Sequence, residues 1–173
     1  LNVDELKSHL SKVPSMESLE LSSKVTTKKA YLIGDENAEI KIAVLDLGVK
    51  SSILKNLTDR GALCKVFPAK PSFEEMKNWS PNGFFVSNGP GDPAAMQYAV
   101  DTVQNMLNAD LPVFGICLGH QIIARACGID TYKMHHGHRG INHPVKNLSS
   151  GKSEITSQNH GFSVDINGVL NSD

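Results

Sequence analysis

The sequence is short of cysteine, of charge imbalance and of long apolar runs, and each shortage removes a class of function. Its three cysteines, Cys64, Cys117 and Cys127, are odd in number and not closely paired. That favours free thiols in a reducing, cytoplasmic compartment over a disulfide framework. Lys plus Arg total 17 against 18 Asp plus Glu, a formal net charge of −1, so no global field recruits nucleic acid or an anionic membrane. No apolar run approaches the roughly 18 residues needed to cross a bilayer. Leu1-Asn2-Val3-Asp4-Glu5 lacks the basic start and apolar core of a secretory signal, and an initiator Met is missing. What is present, 40% hydrophobic and 20% charged over 173 residues, is ordinary globular composition in a length that suits one domain, or one domain with an appended piece.

Residues 1–36 are rich in Ser, Lys, Thr and Glu, with Leu6, Leu10, Val13 and Met16 spaced for a short helix. They cannot form a core alone. Residues 1–38 therefore read as the end of a preceding domain plus a linker, and 39–173 as the main domain. From Ile40 the texture changes. Short, β-branched apolar runs at 40–46, 64–68, 83–87 and 112–116 predict buried strands. Helical patterns at 51–60, 73–79, 94–108 and 118–127 lie between and after them, with Gly61 and Gly128 as stops. Strict alternation of this kind predicts an α/β fold with a doubly wound, mostly parallel sheet. Beyond Thr131 only short β-like pieces are expected, at 144–145 and 154–157, and no helix closes the chain.

The chemistry-bearing run is Gly115-Ile116-Cys117-Leu118-Gly119-His120-Gln121. Gly-x-Cys-x-Gly between a predicted strand and a predicted helix fits a nucleophile elbow. The turn is tight enough that its flanks must be nearly free of side chains. It lifts the sulfur above the carboxyl ends of the strands, where open α/β sheets place ligands. Helix N-terminal amides are expected to lower the thiol pKa. Cys64 and Cys127 read instead as small buried hydrophobes. A thiolate that attacks an amide also needs donors for an oxyanion. The Leu118 N–H and the loop Asn88-Gly89-Pro90-Gly91-Asp92-Pro93 are the candidates. For a base, His160 in Ser157-Gln158-Asn159-His160-Gly161-Phe162 is the first choice on spacing, while His120 points along its helix. The cluster His135, His136, His138 and His143 lacks metal-ligand spacing, so no metal is expected.

Together these motifs, with Tyr132-Lys133-Met134, Gly137-His138-Arg139-Gly140 and Asn142-His143-Pro144-Val145, resemble the glutaminase domain of the carbamoyl-phosphate synthase small subunit, a class I glutamine amidotransferase with a flavodoxin-like fold. The resemblance runs over about 19–173. It implies hydrolysis of L-glutamine through a γ-glutamyl thioester on Cys117. Ammonia would pass to a large subunit that makes carbamoyl phosphate, for arginine and pyrimidine synthesis, with ATP and Mg used by that partner and no cofactor in this chain. It assigns the oxyanion donors to the Gly91 and Leu118 N–H groups, and glutamine binding to Gly89, Gly91, Leu118, Gln121, Asn159, Gly161 and Phe162.

One departure counts against full activity. The family's base is the His of a Gly-His-Pro-Glu motif beyond Asn-His-Gly-Phe, and no such motif occurs here. His160 corresponds to a non-catalytic histidine, which withdraws it as the base. The expectation is an internal piece of a longer polypeptide, incomplete at the C-terminal end and turning over little glutamine alone. Another class I amidotransferase, or a silent glutamine-binding or regulatory module, is the alternative.

Overall fold

A computed structural model describes residues 2–170. In chain order its elements are α1 (Val3–Leu10), α2 (Ser22–Val25), β1 (Tyr31–Ile33), β2 (Ile40–Leu45), α3 (Ser51–Thr58), β3 (Ala62–Phe67), α4 (Phe73–Lys77), β4 (Gly83–Val86), α5 (Gln97–Leu107), β5 (Val113–Gly115), α6 (Leu118–Ala126), β6 (Thr131–Lys146), β7 (Ser153–Val164) and α7 (Ile166–Leu170). The first five strands form one sheet in the order β1-β3-β2-β4-β5. All its pairings are parallel except β1 with β3. Among the described helices none is long and apolar enough to cross a membrane.

Period-two side-chain alternation on these strands builds two apolar layers. Val44, Cys64, Val66 and Phe85 turn to one face and pack with Leu54 of α3. Ala43, Leu45, Phe67, Phe84 and Val86 turn to the other, where Met76, Val103, Met106 and Ile122 cover them from α4, α5 and α6. The sheet is thus doubly wound, as expected. The chain runs from β2 outward to β3 on one side and to β4 on the other, which leaves a switch point between β2 and β4. Their following loops flank a crevice at the carboxyl ends of the strands, the place where such sheets bind ligands.

Three local readings change. The helix expected over 94–108 starts as a single 3-10 turn, Pro93–Ala95, capped by Asp92, whose carboxylate accepts from the Ala94 N–H at 2.8 Å. Met96 then breaks the geometry before α5 begins. Nothing in the pattern of 31–33 announces β1, whose Tyr31 and Leu32 are largely solvent-facing. It exists because β3 offers it an open edge. A short helix, α7, follows β7 where no closing helix is expected; residues 171–173 lie outside the described part.

The largest change lies beyond Thr131. In place of short pieces, β6 and β7 form one long antiparallel ribbon with register shifts between Lys133 and His138 and between Gly140 and His143. Gly137 at φ +72° sits within the first irregularity, where an extra residue must leave the ladder. Pro144 pairs with Ile155 in a two-stranded ribbon, whose free outer edges tolerate a missing N–H. Ile141, Val145 and Ile155 are exposed, so the in–out alternation that betrays a half-buried strand is absent.

The segment before β1 docks on the loops around the crevice. Glu20 bridges to Gly91, the Ser18 N–H donates to Asp92 Oδ2 at 2.8 Å, and the Tyr98 hydroxyl donates to Glu20 Oε1 at 2.7 Å. Thr26 Oγ1 donates to the Asp46 carbonyl at 2.7 Å and accepts from the Ala69 N–H at 2.9 Å.

Candidate active site at the Cys117 elbow

Cys117 stands between β5 and α6 at φ +54°, ψ −108°. A non-glycine residue held there stores roughly 1–3 kcal/mol of backbone strain, so the surroundings must enforce it. They do so through two contacts that only glycine allows. A Cβ on Gly119 would lie 2.0 Å from the Val86 carbonyl oxygen of β4, and one on Gly115 would lie 2.5 Å from the Gly119 carbonyl carbon. The start of α6 therefore rests directly on the end of β4. The turn is tied by Ile116 N–H to Val86 O at 3.2 Å, Gly119 N–H to Ile116 O at 3.0 Å and Gln121 N–H to Cys117 O at 3.1 Å.

The frame opposite consists of the loops after β2 and β4. Asp46 is buried, and its carboxylate accepts from the Gly48, Val49 and Thr27 N–H groups at 2.7–2.9 Å. Ser87, fully buried, accepts from the Leu47 N–H at 2.9 Å and donates to the Asn88 carbonyl at 2.7 Å. Asn88 Nδ2 donates to Gly48 O at 3.0 Å, and its Oδ1 accepts from the Lys50 N–H at 3.2 Å. Asp46 is a frame residue that carries no sequence signal, because an isolated Asp beside a glycine turn looks like any other; Asn88 belongs to the loop already singled out in the sequence, but its bracing role is not legible there. Gly89 lies where the two loops cross. A Cβ there would meet Leu47 O at 2.0 Å, so its bare backbone lets two protein loops touch. In the Glu20–Gly91 bridge it is the neighbouring Asp92 N–H that donates to Leu19 O at 2.9 Å, which leaves the Gly91 amide unspent.

The hairpin supplies the third wall. A cavity of about 340 Å³ brings Cys117 together with Gly89, Gly91, Asn159, Gly161 and Phe162, and also with Lys133 and Arg139. Cys117 Sγ lies 3.8 Å from the Asn159 carbonyl. The buried Gln121 side chain donates to Phe162 O at 2.7 Å and pins β7 to α6. Leu118 is buried under Gly89 with its amide beside the sulfur. Five of the seven residues matched to glutamine binding thus line one cavity and Leu118 packs beneath Gly89 at its edge, while Gln121 lines a neighbouring cavity of about 650 Å³ that also opens on Cys117. Lys50 faces a third, of about 300 Å³.

The electrostatics run against the expectation of an acidified thiol. Partial burial pushes the Cys117 thiol above its ordinary value, and the opposing pulls of the Leu118 N–H and the Lys50 charge do not overcome it. The residue as a whole is exposed, so it is the walls around the sulfur that count. The Asn159 carbonyl adds to this sense, since it attracts S–H and repels S⁻. Cys64 is fully buried as expected, and burial pushes its thiol up to about 11. Cys127 departs from expectation: it is exposed at the C-terminal cap of α6, because the inner stripe of that helix passes through Ile122 and not through it.

No histidine among the described residues hydrogen-bonds to the sulfur. His160 is spent elsewhere: Nδ1 contacts Phe162 O at 2.8 Å, while Nε2 contacts His138 Nδ1 at 3.1 Å and Gln158 Oε1 at 2.9 Å. It braces the hairpin, which explains physically why spacing alone misleads. His120 is exposed on α6 and faces the larger cavity. The His138 ring packs on those of His143 and His160, at 5.0 and 4.9 Å between centroids. Among the described residues no three His, Cys, Asp or Glu side chains converge as a metal would require.

Comparison with known proteins points the same way as this geometry. The chain is 44% identical over 167 residues to the carbamoyl phosphate synthase small chain of Chlorobaculum tepidum, a match over 95% of this chain and 46% of that protein. It is 46% identical over 163 residues to the corresponding protein of Corynebacterium glutamicum, covering 94% and 42% respectively. The chain thus spans less than half the length of these curated relatives. In fold it is similar to a glutamine amidotransferase from Thermotoga maritima, with a TM-score of 0.55 and 17% identity over 73% of this chain and 62% of that one. The glutamine amidotransferase class-I family profile matches residues 43–172, which takes in the crevice loops, the Cys117 elbow and the hairpin. With a strained cysteine elbow seated on a doubly wound sheet inside that match, the chain belongs to the class-I glutamine amidotransferase family.

Proposed function

We propose that this chain carries the glutamine-hydrolysing site of a carbamoyl-phosphate synthase small chain. The observation that carries the reading is the shared cavity: Cys117, on its strained elbow, faces the Gly89–Gly91 loop and the Asn159–Phe162 strand at once. Glutamine lies in that cavity with its side-chain amide at the sulfur. After loss of its proton, Sγ attacks the amide carbon, and the oxyanion is received by the Leu118 and Gly91 N–H groups. Collapse breaks the C–N bond, and the amine leaves as ammonia once protonated, with a γ-glutamyl thioester left on Cys117. Water then adds to the thioester carbon, glutamate departs and the thiol is restored. Asn159, Gly161 and Phe162 hold the amino-acid end, and Gln121 holds the strand that carries them. Ammonia is passed to a large-subunit partner that makes carbamoyl phosphate. The similarity to named small chains over 94–95% of this chain supports that assignment.

The test is competitive labelling. A chloroketone analogue of glutamine is expected to alkylate Cys117 first, with protection by millimolar glutamine, while exposed Cys127 reacts slowly and unprotected. Labelling of Cys117 that glutamine does not slow refutes the reading. A second reading, a glutamine-binding module with little turnover, is favoured by the absence of any histidine bonded to the sulfur among the described residues. Glutamine protection of Cys117 without glutamate release selects it.

A further inference from the structure

The segment before β1 lies outside the matched profile, which begins at residue 43, yet it is fastened to both loops that wall the Cys117 cavity. On the β4 side, the Asp92 N–H donates to Leu19 O at 2.9 Å and the Ser18 N–H donates to Asp92 Oδ2 at 2.8 Å. The hydroxyl of fully buried Ser22 donates to Pro90 O at 3.2 Å. On the β2 side, the Thr27 N–H donates to Asp46 Oδ2 at 2.7 Å, and a Cβ on Gly48 would meet Val25 Cγ2 at 3.0 Å. Met16, at the head of this strap, lines the cavity itself. Gly91 is gripped between the strap and Met96. Its φ is +109°, and a Cβ there would meet Met96 Cε at 2.7 Å, Leu19 O at 2.8 Å and the Leu21 nitrogen at 3.1 Å. Asp92 ties loop and strap together. It is buried, its two carboxylate oxygens accept from the Ala94 and Ser18 N–H groups, and no ion pair reaches it among the described residues.

Resting on the glutaminase reading above, in which the Gly91 N–H receives the oxyanion, we infer that the strap of residues 16–22 is a positioning element of that site and that Asp92 is the residue through which it acts. Glycine turns more freely than any other residue, so a donor on Gly91 stands ready only if something outside its own loop holds it. Readiness before the reaction is what makes such a donor effective. The strap supplies the hold, and Glu20 secures the strap in turn: its Oε1 accepts from the Tyr98 hydroxyl of α5 at 2.7 Å and from the Ser23 N–H at 2.9 Å. Asp92 touches no reacting atom. It sets the peptide next to the one that does.

Asp92→Asn is the probe. Asn keeps one side-chain oxygen for the Ala94 N–H, since it caps a helix start as well as Asp does, but brings an amide NH₂ against the Ser18 N–H. Modification of Cys117 by the chloroketone analogue of glutamine is followed by peptide mass mapping over a range of concentrations, beside modification by iodoacetamide. The chloroketone oxygen gains charge at the oxyanion position when Sγ adds to its carbonyl carbon. Iodoacetamide loses iodide from a methylene and calls on no oxyanion donor. Asp92→Asn is expected to lower the limiting chloroketone rate about tenfold, short of the hundredfold or more that loss of a whole donor costs. Its half-saturating concentration and its iodoacetamide rate are expected to stay unchanged. Tyr98→Phe, which takes the hydroxyl from Glu20 and leaves Asp92 intact, is expected to lower the limiting rate about threefold. A merely structural role for Asp92 moves the iodoacetamide rate or the half-saturating concentration as much as the limiting rate. Either result overturns the inference, as does a limiting rate equal to that of the parent. Glutamine protection of Cys117 in the Asp92→Asn sample then shows that the glutaminase reading survives. If glutamine fails to protect Cys117 in the unmodified protein, both fall together.

Discussion

Replacing Gly119 with alanine tests the elbow, because the structure reverses the sign that helix chemistry alone predicts. Gly119 lies in the first turn of α6 with no positive φ. Exchange of glycine for alanine on an open helix stabilises by about 1 kcal/mol. Here the new Cβ would sit 2.0 Å from Val86 O, 2.7 Å from Val86 C and 2.9 Å from Ser87 O. All three are backbone atoms of β4 and its loop, so no side chain can rotate away. To reach even 3.0 Å, α6 and β4 must separate by about 1 Å, in an interior packed to crystal density. Overpacking of this kind costs roughly 1–3 kcal/mol, occasionally more, and the same shift loosens the Ile116–Val86 bond that holds the turn. Gly128→Ala is the control, since its Cβ meets nothing within 4 Å and only its φ of +81° opposes the change. Urea denaturation is expected to show Gly119→Ala destabilised by about 3 kcal/mol, against about 1 kcal/mol for Gly128→Ala. Alkylation of Cys117 should separate the two more sharply, with only Gly119→Ala altering its rate. A Gly119→Ala protein as stable as the parent, with normal Cys117 labelling, refutes the elbow.

Two further predictions concern the thiols. Because burial holds the Cys117 thiol above its ordinary value, its reaction with iodoacetamide is expected to climb about tenfold per pH unit through the neutral range and still to be rising at pH 9; a plateau below pH 8 refutes this. Lys50→Gln removes a charge that favours thiolate and should slow the reaction about threefold at fixed pH. Cys64 makes a linkage prediction: the unfolded thiol ionises near 9.0 and the native one near about 11. The contribution is present in full below the unfolded value and is lost as pH rises through the folded one, up to about 3 kcal/mol. Comparison with Cys64→Val by urea titration should show the parent losing about 2 kcal/mol more than the variant between pH 8 and pH 10.5, whereas parallel curves refute it.

Local pattern was enough for the parallel sheet, the helices between its strands and the elbow. A buried strand such as Ile40–Leu45 is apolar on both faces, and Gly115-Ile116-Cys117-Leu118-Gly119 spells a turn that almost no other residues can make. The motif residues Gly89, Gly91, Asn159, Gly161 and Phe162 were likewise legible as motifs. What no local pattern carries is the direction of a shift or the partner of a side chain. The helix N-terminus at Cys117 argues for an acidic thiol, yet the Asn159 carbonyl, 42 residues away in sequence, and the surrounding walls favour the protonated form. His160 looks like a base until His138, Gln158 and Phe162 are seen around it.

The sequence by itself determined where Cys117 stands, since a strand–Gly-x-Cys-x-Gly–helix run encodes its own geometry through steric exclusion. Tertiary structure decided what faces it. The long ribbon of β6 and β7 has few inward apolar positions to advertise it, yet it brings Asn159, Arg139 and Lys133 into one cavity with Cys117, where Gln121 of α6 holds Phe162 of β7. Burial and the pairing of distant carbonyls arise only when the elements meet, and these favour the protonated form of the Cys117 thiol.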